Sequence, residues 1–532
     1  MLIANRYSAT VICSITANSC LIFTTRMVVR SVSFIFVCLA LVLFSSCAEQ
    51  HSHPYQDLTL ASFSDMRKTA FELSSRDMRR LLGKMAVADK GKTIADGVTR
   101  DYYSAENPLL WVDRKGVDSR ADTLVSWLQK LSQAGISDNY FSIPAIERDL
   151  RTLRTLDTIN ESLSVVMARV EYLMTKAYLR YAVNQQYGFC NPDDLLNHFD
   201  VRDSDSVSVT YNRVFDIPIR HPGISVVNSA LRKLANDSVA EYLREVQPHN
   251  DLYARLEKAF AETTDAQKRK RLLVNMERCR WRLRSYPQDQ KRYVMVNLPS
   301  FHLRAVCPDS TLEMRIGCGT SKTKTPLLTS RIHRMDINPQ WVMPRSIVEK
   351  DVVRHVGDSS WFARHHYFVM DRRKGKRIEG HRASWTMLHD KRYSVIQEGG
   401  KGNSLGRIIF RFDNDFSVFI HDTSTPGFFV RDNRSVSHGC VRVQRPYELA
   451  LFMLGKKAGK YAEDLLYNMT GDSIEDKSRH LGTLNVEPQV PLYITYYTVY
   501  PTVEGNLQYL PDIYGYDKHI YQHLAETCLK KI

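Results

Sequence analysis

The spacing of apolar residues changes at about Arg292 of this 532-residue chain, and this change limits the folds that the chain can adopt. Before it, apolar side chains recur every three or four residues, as at Leu124, Trp127, Leu128 and Leu131, which predicts helices with one buried face. After it, short runs rich in β-branched and aromatic residues alternate with turn residues, which predicts strands. These runs are Tyr293–Asn297, Arg407–Phe412, Phe416–His421 and Leu492–Tyr500. The predicted fold class is α+β, with a mainly helical domain followed by a β-rich domain.

Shifts in composition along the chain predict five consecutive segments. They are an export signal (residues 1–47), a polar tether (48–95), the helical domain (96–290), the β-rich domain (291–520) and a C-terminal tail (521–532). Within the β-rich domain, residues from about 340 to 396 break the strand pattern, so we expect an insertion there. No repeat of about 20–50 residues is visible, which argues against solenoids and propellers.

The N-terminal segment has the pattern of an export signal. Residues 32–44 are almost wholly apolar, follow Arg26 and Arg30, and are too few to span a bilayer comfortably. The run ends in Phe-Ser-Ser-Cys47, which resembles the lipobox of bacterial lipoproteins, where that cysteine is diacylated and becomes the mature N-terminus. Met27 would then be the start site. A signal anchor and an ordinary cleavage site are the alternatives. We expect a membrane-anchored lipoprotein of the cell envelope, facing the periplasm.

The charge and cysteine content narrow the possible partners. The chain carries 73 Lys and Arg against 58 Asp and Glu, a formal charge of +15, and residues 1–47 contribute only three of the arginines, which leaves +12 beyond them. The basic residues are mostly scattered and lack the interleaved aromatic residues of single-strand binders, so no nucleic-acid partner is predicted. Ten cysteines without a Cys-x-x-Cys pair indicate neither a metal site nor another cofactor.

One cysteine has the neighbours of a nucleophile. Cys440 follows His438 and Gly439, and the predicted strand that ends in His421 lies upstream. A thiolate is the reactive form of cysteine, and a nearby imidazole can accept the thiol proton. Gly439 permits a sharp turn from which backbone N–H groups can point at an oxyanion. The alternative is a buried structural cysteine beside a core histidine, since free cysteines are often buried.

His421, fifteen residues, the sequence Ser437-His-Gly-Cys440 and then Arg442 together resemble the active-site motif of the YkuD-type L,D-transpeptidases, the cysteine enzymes of peptidoglycan cross-linking. Further segments resemble the large YcbB-like branch of that family, which has a helical scaffold domain and a capping subdomain at the position of the 340–396 insertion. These segments are Pro108–Trp111, Ala177–Ala182, Asn275–Arg278, Asn297–Pro299, Asn338–Pro344, Leu405–Arg407, Arg431–Asp432 and Asp512–Gly515.

The resemblance implies a reaction on peptidoglycan stem peptides. Cys440 would attack the carbonyl of the third residue of a tetrapeptide stem and release the terminal D-Ala, and an amine of a second stem would resolve the acyl-enzyme into a 3→3 cross-link. His421 would be the proton acceptor and donor, His438 a supporting residue, and the Gly439 and Cys440 amides the oxyanion donors. The resemblance also implies that carbapenems acylate the cysteine. The substrate-binding residues assigned are Ser437, Arg442, Asn338 and Trp341.

Several alternatives stay open at this point. Water as acceptor would give an L,D-carboxypeptidase or endopeptidase, and a wall-binding lipoprotein could retain the fold without catalysis. A papain-like or NlpC-type peptidase is disfavoured because there the cysteine precedes the histidine. Either Asp422 or a backbone carbonyl could orient His421, and Arg442 could form a structural salt bridge instead of binding substrate.

Overall fold

The computed structural model describes residues 74–113, 116–155, 161–204, 209–248, 250–471 and 476–530. The predicted export signal, Met27, Cys47 and most of the tether lie outside these residues. Within them, none of the helices has the length and apolar character needed to cross a bilayer. The α+β prediction is confirmed, since a helical N-terminal region precedes a β-rich domain.

The helical domain is built around one long helix. Its helices are α1 (Ser75–Ala88), α2 (Ile94–Ser104), α3 (Ser119–Gln133), α4 (Ile143–Thr155), α5 (Leu163–Tyr187), α6 (Pro192–Asn197), α7 (Ile224–Ala235), α8 (Val239–Glu245), α9 (Asp251–Glu262) and α10 (Ala266–Arg280). Helix α5 is buried on nearly all sides because α1, α2, α4 and α7 pack around it. Two short hairpins accompany the helices, β1 (Val112–Asp113) with β2 (Gly116–Val117) and β3 (Val201–Ser204) with β4 (Val209–Tyr211).

A buried carboxylate holds Pro108–Trp111, the first of the segments that resemble the scaffold domain, in place. Glu171 on α5 is fully buried and accepts hydrogen bonds from the backbone N–H groups of Leu110, Trp111 and Val112, at 2.6, 2.9 and 3.1 Å. The Tyr103 hydroxyl donates to the same carboxylate at 2.7 Å. These bonds stabilise the buried carboxylate of Glu171. They also satisfy the backbone N–H groups of the segment that leads from α2 into β1.

The folded region begins earlier than the predicted boundary at residue 96. Met78, Leu82 and Ala86 recur at helical spacing on α1 and are buried, and α1 packs on α5. The sequence predicted a helix near this position, but as part of a tether that packs on nothing. The tether prediction for 48–95 is therefore wrong from Ser75 onward, because this apolar face needs a partner.

The β-rich domain forms a closed barrel. Its strands, with one from the helical domain, are β5 (Phe215–Asp216), β6 (Tyr293–Asn297), β7 (His302–Cys307), β8 (Ser310–Gly319), β9 (Leu327–Ile337), β14 (Ile408–Phe412), β15 (Ile420–His421), β16 (Ser435–Ser437), β17 (Val441–Val443) and β18 (Thr483–Thr495). Eight of them pair in the order β14-β15-β17-β8-β7-β6-β18-β9, and β9 pairs back to β14. This closure leaves no open edge between the first and last strands. Strand β5 joins β9 in parallel, so the helical domain contributes a strand to the same sheet.

An independent small unit interrupts the barrel between β9 and β14. Its strands are β10 (Trp341–Val342), β11 (Tyr367–Asp371), β12 (Lys376–Glu379) and β13 (Tyr393–Gln397), which form an antiparallel sheet in the order β10-β13-β11-β12. Three short helices, α11 (Arg345–Ile347), α12 (Ser359–Arg364) and α13 (Trp385–His389), pack with it. Its apolar cluster, which includes Phe362, Val369 and Val395, is separate from the main core. We call residues 341–397 the cap.

The chain ends with helices that close both domains. They are α14 (Pro446–Leu454), α15 (Ala458–Thr470) and α16 (Tyr516–Thr527), and the hairpin of β19 (Val499–Pro501) and β20 (Leu507–Tyr509) precedes α16. The prediction of a tail at 521–532 is wrong for its described part. Leu524, Cys528 and Leu529 are buried, and Leu529 pairs with Ile136 of the helical domain. Apolar residues at i, i+4 and i+5 make this segment a packing element rather than an extension.

We expect Leu524→Ala to lower the free energy of unfolding by about 2–5 kcal/mol, because it removes a side chain that is only 2% exposed from the contact between α16 and the helical domain. Gln522→Ala, at an exposed position on the same helix, is the matched control. Urea unfolding followed by circular dichroism measures both. Equal stabilities for the two variants would show that α16 contributes no packing.

Candidate active site

Strand pairing brings the predicted histidine and cysteine segments side by side. Strand β15 ends at His421, β17 begins at Val441, and the two run parallel with Ile420 opposite Val441 and His421 opposite Arg442. The Val441 N–H donates to the Phe419 carbonyl at 3.1 Å, directly after Cys440. Residues 21 positions apart in the sequence therefore pair across these strands at a fixed register, and Cys440 directly precedes the paired segment.

A sharp turn presents the cysteine, and one hydroxyl holds that turn. Gly439 has φ +118°, a conformation that residues with a side chain rarely adopt. The Ser437 hydroxyl donates to the Cys440 carbonyl at 2.6 Å and accepts the Gly439 N–H at 3.1 Å. Ser437 is only 3% exposed. We call residues 437–440 the catalytic turn.

These bonds bear on two sequence assignments. The Ser437 hydroxyl uses its proton and one lone pair within the turn, and its assignment to a substrate contact stays a prediction. The Gly439 N–H donates to that hydroxyl, so it is not a free oxyanion donor. In the described parts of the chain, no acceptor contacts the Cys440 N–H. The Cys440 amide is therefore the available donor of the two predicted.

Hydroxyl groups outside the catalytic turn donate hydrogen bonds to its carbonyl oxygens. Thr325 Oγ1 donates to the Gly439 carbonyl at 2.8 Å, and Thr323 Oγ1 donates to the Ser437 carbonyl at 2.9 Å. Tyr514 accepts the Thr325 N–H at 3.1 Å and donates to the Gly319 carbonyl at 2.8 Å. Thr325 was not predicted as a site residue, because a threonine between two strands belongs to no recognisable sequence motif. Tyr514 lies in a segment noted only for its resemblance.

His421 is held by a backbone carbonyl. The ring is 3% exposed, and its Nδ1 lies 3.3 Å from the Leu405 carbonyl oxygen. A proton on Nδ1 fits this contact and leaves Nε2 as the acceptor. Asp422 Oδ2 instead accepts the Arg407 N–H at 2.8 Å. The sequence left either Asp422 or a backbone carbonyl as the group that orients His421, and in the structure it is the Leu405 carbonyl.

The histidine and the cysteine are both neutral in the resting site. Burial, aided by the Arg442 charge, lowers the pKa of His421 to about 4, although backbone contacts to Leu405 and Asp422 oppose the shift. Burial also raises the pKa of the Cys440 thiol above its usual value, and a contact with the Phe419 backbone and the charges of Arg442 and Arg411 offset only part of this. In the described residues, no hydrogen bond joins the thiol to the ring. Both shifts disfavour a thiolate–imidazolium pair before substrate arrives.

Two further residues of the motif flank the turn. His438 is exposed beside Cys440, so its ring is accessible to a bound molecule. Arg442 lies half-buried with its guanidinium 5.8 Å from the centre of the Phe428 ring, and its Nε has no partner. Among the described residues it forms no salt bridge, so the structural alternative for Arg442 is not seen in this part of the chain.

Asn338 and Trp341 are not part of this cluster. The Asn338 side chain donates to the Asn468 carbonyl at 3.0 Å and accepts from Arg407 at 3.1 Å, at the point where β9 leads into the cap. Trp341 packs against the cap's own apolar cluster. These contacts lie in the cap and at its junction with the barrel, and the assignment of both residues to substrate binding stays a prediction. No cluster of metal-ligating side chains occurs in the described part of the chain.

We expect alkylation of Cys440 by iodoacetamide to accelerate about tenfold per pH unit from pH 6 to pH 8.5. The thiolate fraction rises this way when the thiol pKa lies above its usual value. Mass spectrometry of the Cys440 peptide measures the rate, with the half-buried free thiol of Cys307 as internal reference. A rate that is already constant above pH 6 would instead indicate a preformed ion pair.

Comparisons with known proteins identify the two domains of this chain. One family model, a scaffold domain, matches residues 96–260, and another, the L,D-transpeptidase catalytic domain YkuD, matches residues 291–473, so that together they cover well over half of the chain. The Haemophilus influenzae protein named "Putative L,D-transpeptidase" is 26% identical over 298 residues, which are 56% of this chain and 58% of that protein. The solved L,D-transpeptidase from Mycobacterium smegmatis matches at 12% identity, over 38% of this chain and 58% of that one, with a TM-score of 0.17 that is too low to support an inference. The chain belongs to the YkuD family of L,D-transpeptidases, with the scaffold-plus-catalytic architecture of the YcbB-like branch.

Proposed function

We propose that this protein is a peptidoglycan L,D-transpeptidase that forms 3→3 cross-links through an acyl-enzyme on Cys440. The observation that carries the proposal is the catalytic turn, which presents a half-buried thiol and a free N–H at the start of β17, the strand that pairs with β15 and its buried His421. A thiol, a proton acceptor and an oxyanion donor are the three groups that acyl transfer needs.

In the first half-reaction, Cys440 Sγ forms a bond with the carbonyl carbon of the third stem residue. The thiol proton passes to His421 Nε2 as this bond forms, and the Cys440 N–H stabilises the oxyanion. Collapse of the tetrahedral adduct breaks the bond to the terminal D-Ala. His421 returns the proton to the departing amine, and the acyl group stays on Cys440.

In the second half-reaction, a side-chain amine of another stem attacks the thioester. His421 Nε2 accepts a proton from this amine and then delivers it to the departing sulfur, so the site returns to its starting state. The neutral imidazole suits this role, since an imidazolium with a pKa of about 4 gives up its proton readily. Arg442 has no salt-bridge partner in the described residues, and we assign it to a substrate carboxylate, with His438 at the open side of the turn.

The setting of the reaction is also a proposal. A lipid on Cys47 would hold the protein to a membrane of the cell envelope, and the charge of +12 outside residues 1–47 would favour an anionic surrounding. The support is the N-terminal sequence pattern, with its positive flank, its short apolar run and its lipobox-like end.

Purified protein incubated with a disaccharide-tetrapeptide should yield a cross-linked dimer, with one D-Ala released per link. Cys440→Ala should abolish this product, and His421→Gln should lower the rate about 100-fold or more, because proton transfer is lost. Mass spectrometry measures the products, and acylation of Cys440 by a carbapenem measures the first step alone. Tripeptide without dimer would contradict transpeptidation and favour the carboxypeptidase. Full activity of Cys440→Ala would exclude the cysteine mechanism.

Ser437→Ala should lower the rate of Cys440 acylation about 10–100-fold, because the turn loses both bonds of its bridging hydroxyl and the nucleophile shifts. The matched control is Ser126→Ala, an exposed serine on α3 whose hydroxyl also donates to a backbone carbonyl. Stopped-flow acylation by a carbapenem, with thermal unfolding of both variants, separates positioning from stability. An unchanged acylation rate for Ser437→Ala would refute this role.

A further inference from the structure

The cap carries a large share of the positive charge of the chain. Residues 341–397 contain 12 Lys and Arg against 6 Asp and Glu, a formal charge of +6. This is half of the charge of +12 that the chain has beyond residue 47, although the cap has only 57 residues. Positive charge at this density favours an anionic partner.

Much of this charge lies at one end of the cap sheet, where two loops meet. The turn between β11 and β12 lies beside the loop between α13 and β13, because the Arg372 N–H donates to the Arg392 carbonyl at 3.0 Å. Asp371 fixes the turn by accepting the N–H groups of Arg373 and Lys374, at 3.0 and 3.2 Å. We call the exposed cations at this place the cationic end of the cap: Arg372, Arg373, Lys374, Lys376 and Lys391.

The five side chains of the cationic end are not neutralised by neighbouring carboxylates. The ion pairs nearby use other residues, Arg392 with Asp371 and Arg345 with Glu349. In the described part of the chain, none of the five forms an ion pair. Five exposed cations close together repel one another, and an anionic surface would relieve this repulsion.

An apolar recess opens among these cations. A cavity of about 320 Å³ is lined by Arg345, Arg372 and Lys391 together with apolar side chains around β10, β13 and α13. The apolar residues are Val342, Met343, Val348, Met387, Leu388 and Val395. Among the described residues, no acidic side chain lines it. A recess of this kind suits a ligand that joins an anionic group to an apolar body.

An exposed tryptophan stands near the same end. Trp385 of α13 is 61% exposed, and its ring packs on the His389 ring with centres 3.8 Å apart. Helix α13 ends at His389, two residues before Lys391. Tryptophan favours the boundary between water and the hydrocarbon of a bilayer, because its ring is apolar and its N–H is polar. An exposed tryptophan beside a cluster of cations is typical of surfaces that contact lipid headgroups.

We propose that the cationic end of the cap docks on a membrane surface that contains anionic phospholipid. Lipid phosphates meet the five cations, Trp385 lies at the level of the headgroups, and the recess receives apolar atoms of a lipid. An acidic peptide would match the charge but would leave Trp385 and the recess without a partner. This contact is separate from the reaction at Cys440. It adds to any lipid on Cys47, because one lipid chain together with a basic patch binds more stably than the chain alone.

Chemical footprinting of the full chain on vesicles tests the proposal, whichever way its N-terminal segment attaches to them. Vesicles of phosphatidylcholine are compared with vesicles of an equal mixture of phosphatidylcholine and phosphatidylglycerol. Acetylation of Lys374 and Lys391, followed by mass spectrometry, reports docking, and the exposed Lys258 of α9 is the internal reference. We expect acetylation of the two cap lysines to slow about fivefold or more only on the anionic vesicles, and this protection to disappear at high salt.

Variants locate the contact. Arg372→Gln with Arg373→Gln removes two charges and leaves both reporter lysines in place. Each lost cation should weaken docking about fivefold, so this pair should lose most of the protection. Arg232→Gln with Arg244→Gln removes the same charge from exposed positions of α7 and α8 and should keep it. Lipids brominated near the headgroup should quench part of the tryptophan emission, and Trp385→Phe should remove this quenching.

Three results would overturn the proposal. They are equal acetylation rates on the two kinds of vesicle, full protection in the variant that lacks Arg372 and Arg373, and quenching that is unchanged by Trp385→Phe. Soluble hexaglutamate serves as the probe for a peptide partner. If it protected Lys374 and Lys391 while anionic vesicles did not, the cationic end would be assigned to an acidic peptide instead of a membrane.

Discussion

The bridging hydroxyl of Ser437 is the contact on which the site depends, because it fixes Gly439 in its left-handed conformation and frees the Cys440 N–H. The turn does not hold this shape alone, since two of its carbonyl groups, those of Ser437 and Gly439, are bonded by hydroxyl groups from outside it. Thr325 satisfies the Gly439 carbonyl and is itself held by Tyr514. The geometry of the nucleophile thus depends on Thr325 and Tyr514, outside the turn, as well as on Ser437.

The same support continues into the helical domain. The Tyr514 N–H donates to the Tyr496 hydroxyl at 2.8 Å, and that hydroxyl donates to Asp512. Asp512 accepts the N–H of Asp517, which pairs with Arg278 of α10. A continuous chain of buried polar contacts therefore joins a scaffold helix to the catalytic turn. This network links the packing of the helical domain to the position of the catalytic turn.

The sequence was most informative where a pattern repeats or a motif is local. The change of period at Arg292 predicted the α+β class, and the spacing from His421 to Cys440 predicted which segments meet. It was least informative about which partners a side chain forms hydrogen bonds with. Ser437 and Gly439 belong to the motif, yet their polar groups bond to each other, and Trp341 is partly buried against the apolar cluster of the cap. Docking of the terminal segments was missed for the same reason, since a helix face shows that it needs a partner but not which one.

Burial keeps Cys440 and His421 neutral at rest, so that the thiol would become reactive only when substrate is bound. A neutral thiol is a weak nucleophile and is also slow to oxidise, which is an advantage in the exported, oxidising setting that the N-terminal sequence predicts. In the proposed reaction, the proton would move only when a carbonyl carbon lies close enough for the C–S bond to form and the oxyanion can accept from the Cys440 N–H. An exposed thiolate would react sooner with any oxidant or disulfide. The low pKa of His421, about 4, is therefore compatible with catalysis because the base is required only in the transition state and not at rest.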